Sequence, residues 1–259
     1  GQVSLANLLA MSNATKNIIL IGDQMQLEQP VQAIHPGDSG KSALEYYLQG
    51  EKTIAKDKGI FLPITRRMNK ELTEVVSNYF YEGKLSSHDS AQNRSVILSE
   101  GLVKKEKGVQ FISCNHEGNQ QSSQEEVEKI QEIVTQLKKS QVNIDGSIRN
   151  ITSRDIIIVS PYNMQVNRLK KAFEGYKIGS VDLFQGQEAP IVIFSMGASE
   201  GGSRGISFLL NENRLNVALS RGKALAIIVG SENVLKSKTS SMEDIKLLNM
   251  MAEIINNHS

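Results

Sequence analysis

Short apolar runs alternate along the chain with longer amphipathic stretches, and this alternation limits the folds that 259 residues can adopt. The runs predict buried strands at residues 17–22, 108–114, 155–160, 177–181, 190–196 and 224–230. The stretches have helical spacing, at residues 3–12, 42–49, 69–81, 124–139, 163–173, 211–220 and 242–255. Strands separated by helices are typical of βαβ units. We therefore predict an α/β fold with a parallel sheet flanked by helices on both faces, a three-layer sandwich.

Length and composition narrow the class of protein further. The length suits one domain over residues 1–259, with residues 86–123 as a polar surface insertion and loop. The net charge of +1 predicts no global basic field, so any nucleic-acid surface must be local. The single cysteine, Cys114, excludes an internal disulfide framework and a cysteine-based metal cluster. We expect a cytoplasmic or nucleoid-associated protein with no membrane partner, since no apolar run approaches the ~20 residues that span a bilayer.

A segment that resembles a phosphate-binding loop lies at residues 35–42. It ends in Gly-Lys-Ser before a helical stretch, but His35 stands where that motif requires its first glycine. The stretch of residues 27–36, which leads into the glycines, contains two prolines and does not form a strand pattern, whereas a true phosphate loop leaves directly from a buried strand. We therefore interpret Ser42 as the cap of a helix and the segment as an ordinary loop. A small kinase built on this loop is the disfavoured alternative.

Two polar segments lie next to predicted strands or helices in the first third of the chain. Gly-Asp-Gln-Met-Gln-Leu, residues 22–27, follows a predicted strand, and polar groups at such strand ends are where α/β folds bind ligands. Arg66 and Arg67 precede a predicted helix. Paired arginines are often no more than a solvated face, but their guanidinium groups also suit phosphate.

Two further segments lie near the last two predicted strands. Residues 179–188, with the sequence GSVDLFQGQE, make a polar, glycine-containing turn between two apolar strands. Such turns at a sheet edge usually serve a ligand. Arg221 follows a predicted helix and precedes a buried strand. It either complements the helix dipole or contacts a ligand.

Together these segments resemble one family, the superfamily-one helicases. The order and spacing of GDQMQL, TRRMNKELTEVVSNYFYEGKL, SPYNMQV, GSVDLFQGQE and NRLNVALSRGKALAIIVG match its C-terminal RecA-like motor domain over residues 17–230. The branch that it resembles most is that of the nonsense-mediated-decay RNA helicase and related 5′–3′ DNA helicases. Gly1-Gln2 then matches the end of the family's magnesium-binding Asp-Glu-Ala-x-Gln, so we interpret the chain as a fragment that begins within that motif.

The resemblance implies roles around ATP and Mg²⁺, which a separate N-terminal RecA-like domain of the same parent chain would mainly hold. Arg67 and Arg221 match the two arginines that reach the γ-phosphate, and Gln26 matches the glutamine that senses it. The other nucleotide-binding positions are Asp23, Arg66, Gly186 and Glu188. We expect no protein-bound metal site and no tightly bound nucleotide in this chain alone, which should hydrolyse essentially nothing.

The resemblance also implies contacts with single-stranded DNA or RNA across the top of the sheet. The matching residues are Pro161, Tyr162, Gln165 and Ser180. Tyr162 either stacks on a base or packs under the following helix, and the sequence leaves both open.

Several positions depart from the family pattern. Arg66 replaces the usual tyrosine near the adenine, Gln24 replaces a frequent histidine, and Glu28-Gln29 interrupts a proline-containing end. The alternative function is a non-catalytic nucleic-acid or partner-binding module from a degenerate helicase. Retention of Gln26, Arg67, Glu188 and Arg221 argues against that alternative.

Overall fold

A five-stranded parallel sheet forms the centre of the molecule in the computed structural model, which describes residues 2–28, 35–201 and 204–259. Its strand order is β4-β10-β9-β7-β8. The strands are β4 (Gly108–Ser113), β7 (Ile156–Val159), β8 (Lys177–Gly179), β9 (Ala189–Ser195) and β10 (Gly222–Gly230). The predicted parallel sheet and the last five predicted strands are confirmed.

Helices cover both faces of this sheet, as the α/β prediction requires. One face packs against α3 (Lys70–Phe80), α6 (Ile206–Leu209), α7 (Glu212–Leu219) and α8 (Met242–His258). The other face packs against α4 (Gln124–Lys138) and α5 (Asn163–Ala172). Strand β7 illustrates the division: Ile157 and Val159 lie in the first core, and Ile156 and Ile158 in the second. A strand buried on both faces must be apolar at every position, and these four residues are fully buried.

Two short helices and five short strands complete the fold. The helices are α1 (Leu5–Ser12) and α2 (Ala43–Leu48). A two-stranded parallel pair is formed by β1 (Ile64–Thr65) and β2 (Ser86–Ser87). A three-stranded antiparallel sheet is formed by β3 (Ser95–Ile97), β5 (Gln141–Ile144) and β6 (Ser147–Asn150). Within the described residues, no helix has the length and apolarity to cross a membrane.

The phosphate-loop-like segment forms a short 3-10 helix, Gly37–Gly40, followed by a capped helix. The Ser42 hydroxyl accepts from the amide of Glu45, and the Glu45 carboxylate accepts from the amide of Ser42. Lys41 pairs with Asp38 at 2.7 Å. This capping box agrees with the interpretation as an ordinary loop. Gly1 and residues 29–34, which include Gln29 of the predicted departure from the family pattern, lie outside the described residues.

Two predictions about local structure are wrong. Residues 17–22 form no strand, and Ile19 and Ile21 are 86% and 91% exposed. An isolated apolar run cannot become a strand without a neighbour to pair its backbone, and no described residue pairs with it. The predicted surface insertion and loop at residues 86–123 is not merely that, because Ala91 and Val96 within it are fully buried and β3 pairs with β5.

Candidate nucleotide and nucleic-acid sites

Helix α7 holds the segment of residues 23–27 through side-chain amides. The Asn213 amide donates to the carbonyls of Gln24 (3.0 Å) and Gln26 (2.7 Å), and the buried Asn216 amide donates to that of Met25 (2.7 Å). Met25 and Leu27 are buried in the first core. The segment has no strand to pair with, so these amides fix its backbone and the direction of the Gln26 side chain.

Asp23 is engaged by hydrogen bonds within the fold and forms no ion pair with an arginine of the described residues. It accepts a 2.6 Å hydrogen bond from the Tyr81 hydroxyl and a 2.9 Å bond from the amide of Met25. Burial, and then the Asp23 carboxylate, raise the pKa of Tyr81, so that hydroxyl stays protonated at neutral pH. The structure therefore gives Asp23 an anchoring position, and its predicted contact with a nucleotide finds no support here.

Arg221 lies at the end of α7, almost fully buried and bonded mainly to carbonyls. Its Nε donates to the Val217 carbonyl and its Nη2 to Oε1 of Gln26, each at 3.0 Å. Burial, and then the nearby Arg67 guanidinium, lower the pKa of Arg221 to about 10, so it remains charged at neutral pH. No carboxylate of the described residues pairs with it. Arg221 and Gln26, two predicted catalytic residues, are thus in direct contact.

Arg67 and Lys223 share one carboxylate, that of Glu188. Arg67 Nε lies 2.9 Å from Oε2 and Lys223 Nζ lies 2.6 Å from Oε1, while Arg67 Nη1 donates to the carbonyl of Ser220. The bond from Lys223, and then that from Arg67, lower the pKa of Glu188 against the opposing effect of burial. Sequence reasoning missed Lys223. The sequence feature that could have indicated Lys223 is its position two residues after Arg221, at the start of a buried strand.

The turn before β9 places Glu188 beside these cations. A 3-10 helix, Val181–Phe184, is followed by Gly186 with φ +82°, a conformation that favours glycine. The exposed Arg66 side chain forms no ion pair with any of the described residues.

These groups meet at the amino-terminal ends of β9 and β10. Arg67 and Lys223 bind one carboxylate and the Arg221 guanidinium lies near them, and a phosphate oxygen would suit the same cations. Magnesium requires free carboxylate or carbonyl oxygens, and the two predicted acids, Asp23 and Glu188, already have partners. Within the described residues there is no cluster of three or more acidic, histidine or cysteine side chains that could hold a metal. The site fits phosphate but supplies no carboxylates for Mg²⁺.

The predicted strand-contact residues after β7 are buried. Gln165 accepts from the amide of Ser123 and donates to Oγ of Ser195, both at 2.9 Å, and is fully buried. Tyr162 packs on the Phe208 ring at 5.2 Å and is 2% exposed. Neither side chain reaches the surface, so the structure gives no support to a contact of Gln165 with nucleic acid, and of the two readings of Tyr162 it favours packing within the protein. Pro161 is also buried, and Ser180 is half-buried.

A cationic cluster that the sequence did not predict lies above Tyr162. The guanidinium carbons of Arg204 and Arg214 lie 4.7 and 4.2 Å from the centre of the Phe208 ring. Neither arginine forms an ion pair with any described residue. The only sequence signal was Arg204 in a glycine-rich loop and Arg214 off the apolar face of its helix.

Comparison with known proteins agrees with this architecture. The family profile described as "AAA domain" matches residues 40–233. An uncharacterized ATP-dependent helicase of Methanocaldococcus jannaschii is 30% identical over 257 residues, covering 89% of this chain and 34% of that protein. A regulator of nonsense transcripts 1 homolog of Drosophila melanogaster is 29% identical, covering 85% of this chain and 19% of its own length.

A third relative is the DNA polymerase alpha-associated DNA helicase A of Schizosaccharomyces pombe, 27% identical over 85% of this chain and 34% of its own length. The chain thus spans about a third or less of these relatives. The profile match, the helicase relatives and the five-stranded RecA-like sheet together place this chain in the AAA-domain family, as a superfamily-one helicase domain.

Proposed function

We propose that this chain is the second motor domain of an ATP-dependent DNA or RNA helicase and supplies arginines to an ATP cleft shared with another RecA-like domain. The observation that carries the proposal is the meeting of Arg67, Arg221 and Gln26 at one edge of the sheet. Arg67 is held by Glu188 but remains partly exposed, so a phosphate can compete for it.

The chemistry asked of these residues is charge stabilisation. Phosphoryl transfer to water spreads negative charge over the transferred group, and ATP with Mg²⁺ supplies the reacting bond and the metal. Arg67 and Arg221 would bind the γ-phosphate. Gln26, bonded to Arg221, would link the position of that arginine to residues 23–27.

The neighbouring domain is supported by two observations. The apolar residues 18–21 are exposed and unpaired here, and a strand of another sheet would cover them. Gln2, at the position matched to the magnesium motif, donates to Oε1 of Gln185 at 2.9 Å. That contact places the start of the described chain next to the turn that carries Glu188.

The test is ATP hydrolysis by the full-length protein with Arg67→Ala or Arg221→Met. Loss of an arginine that stabilises the transferring phosphate should lower kcat about 10³–10⁵-fold. Circular dichroism should be unchanged for Arg67→Ala, and Arg168→Ala on α5 serves as the control. Near-normal turnover by Arg67→Ala would reject the assignment. If the unaltered full-length protein binds single strands but hydrolyses no ATP, the binding-module alternative is correct.

The nucleic-acid surface is the second part of the proposal. We infer that Arg204 and Arg214 contact the backbone of a single strand, because guanidinium groups without carboxylate partners suit phosphate. Each arginine replaced by alanine should reduce the slope of log affinity against log salt concentration by about 0.7. Fluorescence anisotropy of a labelled single strand measures this slope.

The controls for that titration are Lys171→Ala and Tyr162→Phe. Lys171 is an exposed cation at the far end of α5, and the Tyr162 hydroxyl is buried without a partner. Neither should change the slope. Unchanged slopes for both arginine variants would move the strand-binding surface elsewhere.

A further inference from the structure

Arg94 binds the backbone from which Arg67 extends. It is 8% exposed, and its Nη1 donates to the carbonyls of Arg66 (3.0 Å) and Arg67 (2.5 Å). These carbonyls lie between β1 and α3, outside any regular hydrogen-bond ladder. The guanidinium of Arg94 therefore takes the place of a secondary-structure partner at this point of the chain.

The other edge of the same guanidinium is held by Asp145. Arg94 Nε and Nη2 donate to the two carboxylate oxygens at 2.7 and 3.1 Å, a bidentate pair. This hydrogen bonding lowers the pKa of Asp145 below its ordinary value. Because Arg94 is nearly buried and charged, the carboxylate that neutralises it also fixes its direction.

Asp145 is presented by the tip of the β5–β6 hairpin. Asp145 and Gly146 have φ of +56° and +86°, the left-handed pair of a two-residue hairpin that Asp-Gly favours. The Asn143 side chain accepts from the amide of Gly146 at 3.1 Å. The small antiparallel sheet thus ends in a carboxylate that pairs with Arg94.

Asn69 connects Arg94 to the backbone that follows Arg221. Its amide nitrogen Nδ2 donates to the carbonyls of Arg94 (2.7 Å) and Ala224 (2.8 Å), and its backbone N–H donates to the carbonyl of Lys223 (2.9 Å). The backbones that carry Arg67 and Arg221 are therefore tied to each other through buried hydrogen bonds.

We propose that Arg94, oriented by Asp145, is a positioning residue for Arg67, and that Asp145 at the tip of the β5–β6 hairpin thereby contributes to ATP hydrolysis. This inference rests on the proposed function of Arg67. Arg94 touches no reacting atom in this role. It sets the backbone position from which the Arg67 guanidinium reaches the phosphate, and a displacement of about 1 Å at such a position costs about 10²-fold in rate.

The experiment is a double-mutant cycle on the full-length protein. ATP hydrolysis is measured for Arg94→Met, Arg94→Lys and Asp145→Asn, each in the unaltered background and with Arg67→Ala. We expect Arg94→Met to lower kcat about 10²-fold with little change in KM, because positioning affects the reacting state. Arg94→Lys keeps the charge and should restore part of the rate. In the Arg67→Ala background these changes should cost nothing further.

A matched control lies on the same hairpin. Arg149 pairs with Asp155 at 2.5 and 2.8 Å, and no contact links it to Arg67. Arg149→Gln removes an arginine–aspartate pair from β6 and should leave kcat unchanged. If Arg149→Gln lowers kcat as much as Arg94→Met, general destabilisation explains the loss and the inference fails.

The remaining outcomes separate the inference from the function on which it rests. Arg94→Met lowering kcat equally in both backgrounds would overturn the positioning role alone. Normal turnover by Arg67→Ala would reject the proposed function and the inference with it. Should Arg94→Met not fold, Asp145→Asn on the exposed hairpin tip completes the same cycle.

Discussion

The hydroxyl of Tyr81 joins three segments that are far apart in the chain. It donates to Asp23 at 2.6 Å and accepts from the Asn216 amide at 2.8 Å, and the side chain is 7% exposed. Tyr81→Phe leaves a carboxylate and a buried amide each without one partner. We expect the free energy of unfolding to fall by about 1–3 kcal/mol, measured by urea denaturation of this chain.

Tyr46→Phe is the control for that measurement. Tyr46 is 48% exposed on α2, and its hydroxyl can bond to water. Equal stability of Tyr81→Phe and the unaltered chain would mean that this network contributes nothing to the fold.

Residue identity alone could not assign roles at the end of β7. The motif around Tyr162 and Gln165 resembles a strand-binding segment, but both side chains point into the protein. Gln165 satisfies the amide of Ser123 at the start of α4, and Tyr162 fills space beside Phe208. A buried side chain and a ligand-contacting one can have the same letter and spacing, because their direction depends on which element packs above them.

At the scale of elements, periodicity predicted the strands of the buried central sheet and the longer helical stretches well. The last five strands and all seven helical stretches appear close to their predicted bounds. The β5–β6 hairpin was missed although Asp145-Gly146 is a strong turn signal, because its strands are short and polar. Residues 17–22 show the opposite error. Their apolar pattern is that of a strand, but a strand exists only where another strand supplies its hydrogen bonds.

At the scale of the whole molecule, paired carboxylates should make stability depend on pH. Asp145 and Glu188 have their pKa values lowered by hydrogen bonds to Arg94 and to Lys223, and Asp155 has its pKa lowered by Arg149 and Thr152 despite the opposing effect of burial. A lowered folded-state pKa adds stability above the ordinary values of 3.8 and 4.5, and this is lost as pH falls through the folded values.

We therefore expect the thermal unfolding midpoint of this chain to fall as pH is lowered from about 5 toward 3, a range around the ordinary carboxyl values. Differential scanning calorimetry measures it. Asp155→Asn should lower the midpoint at neutral pH and make its decline with acid less steep. A midpoint that stays level or rises toward pH 3 would contradict the expected effect of these pairs.

The sequence by itself determined the α/β class, the parallel sheet and the candidate residues around Arg67, Glu188 and Arg221, because periodicity and motif spacing are local properties. Only the tertiary structure decided that Lys223 shares Glu188 with Arg67, that Asp23 anchors Tyr81, and that Arg94 holds the backbone of Arg67. The residues in these contacts are between 27 and 121 positions apart in the sequence. The packing of the elements that carry them sets the direction of each side chain. No local pattern records such distances, since they arise when the sheet, its helices and the small antiparallel sheet close around a common edge.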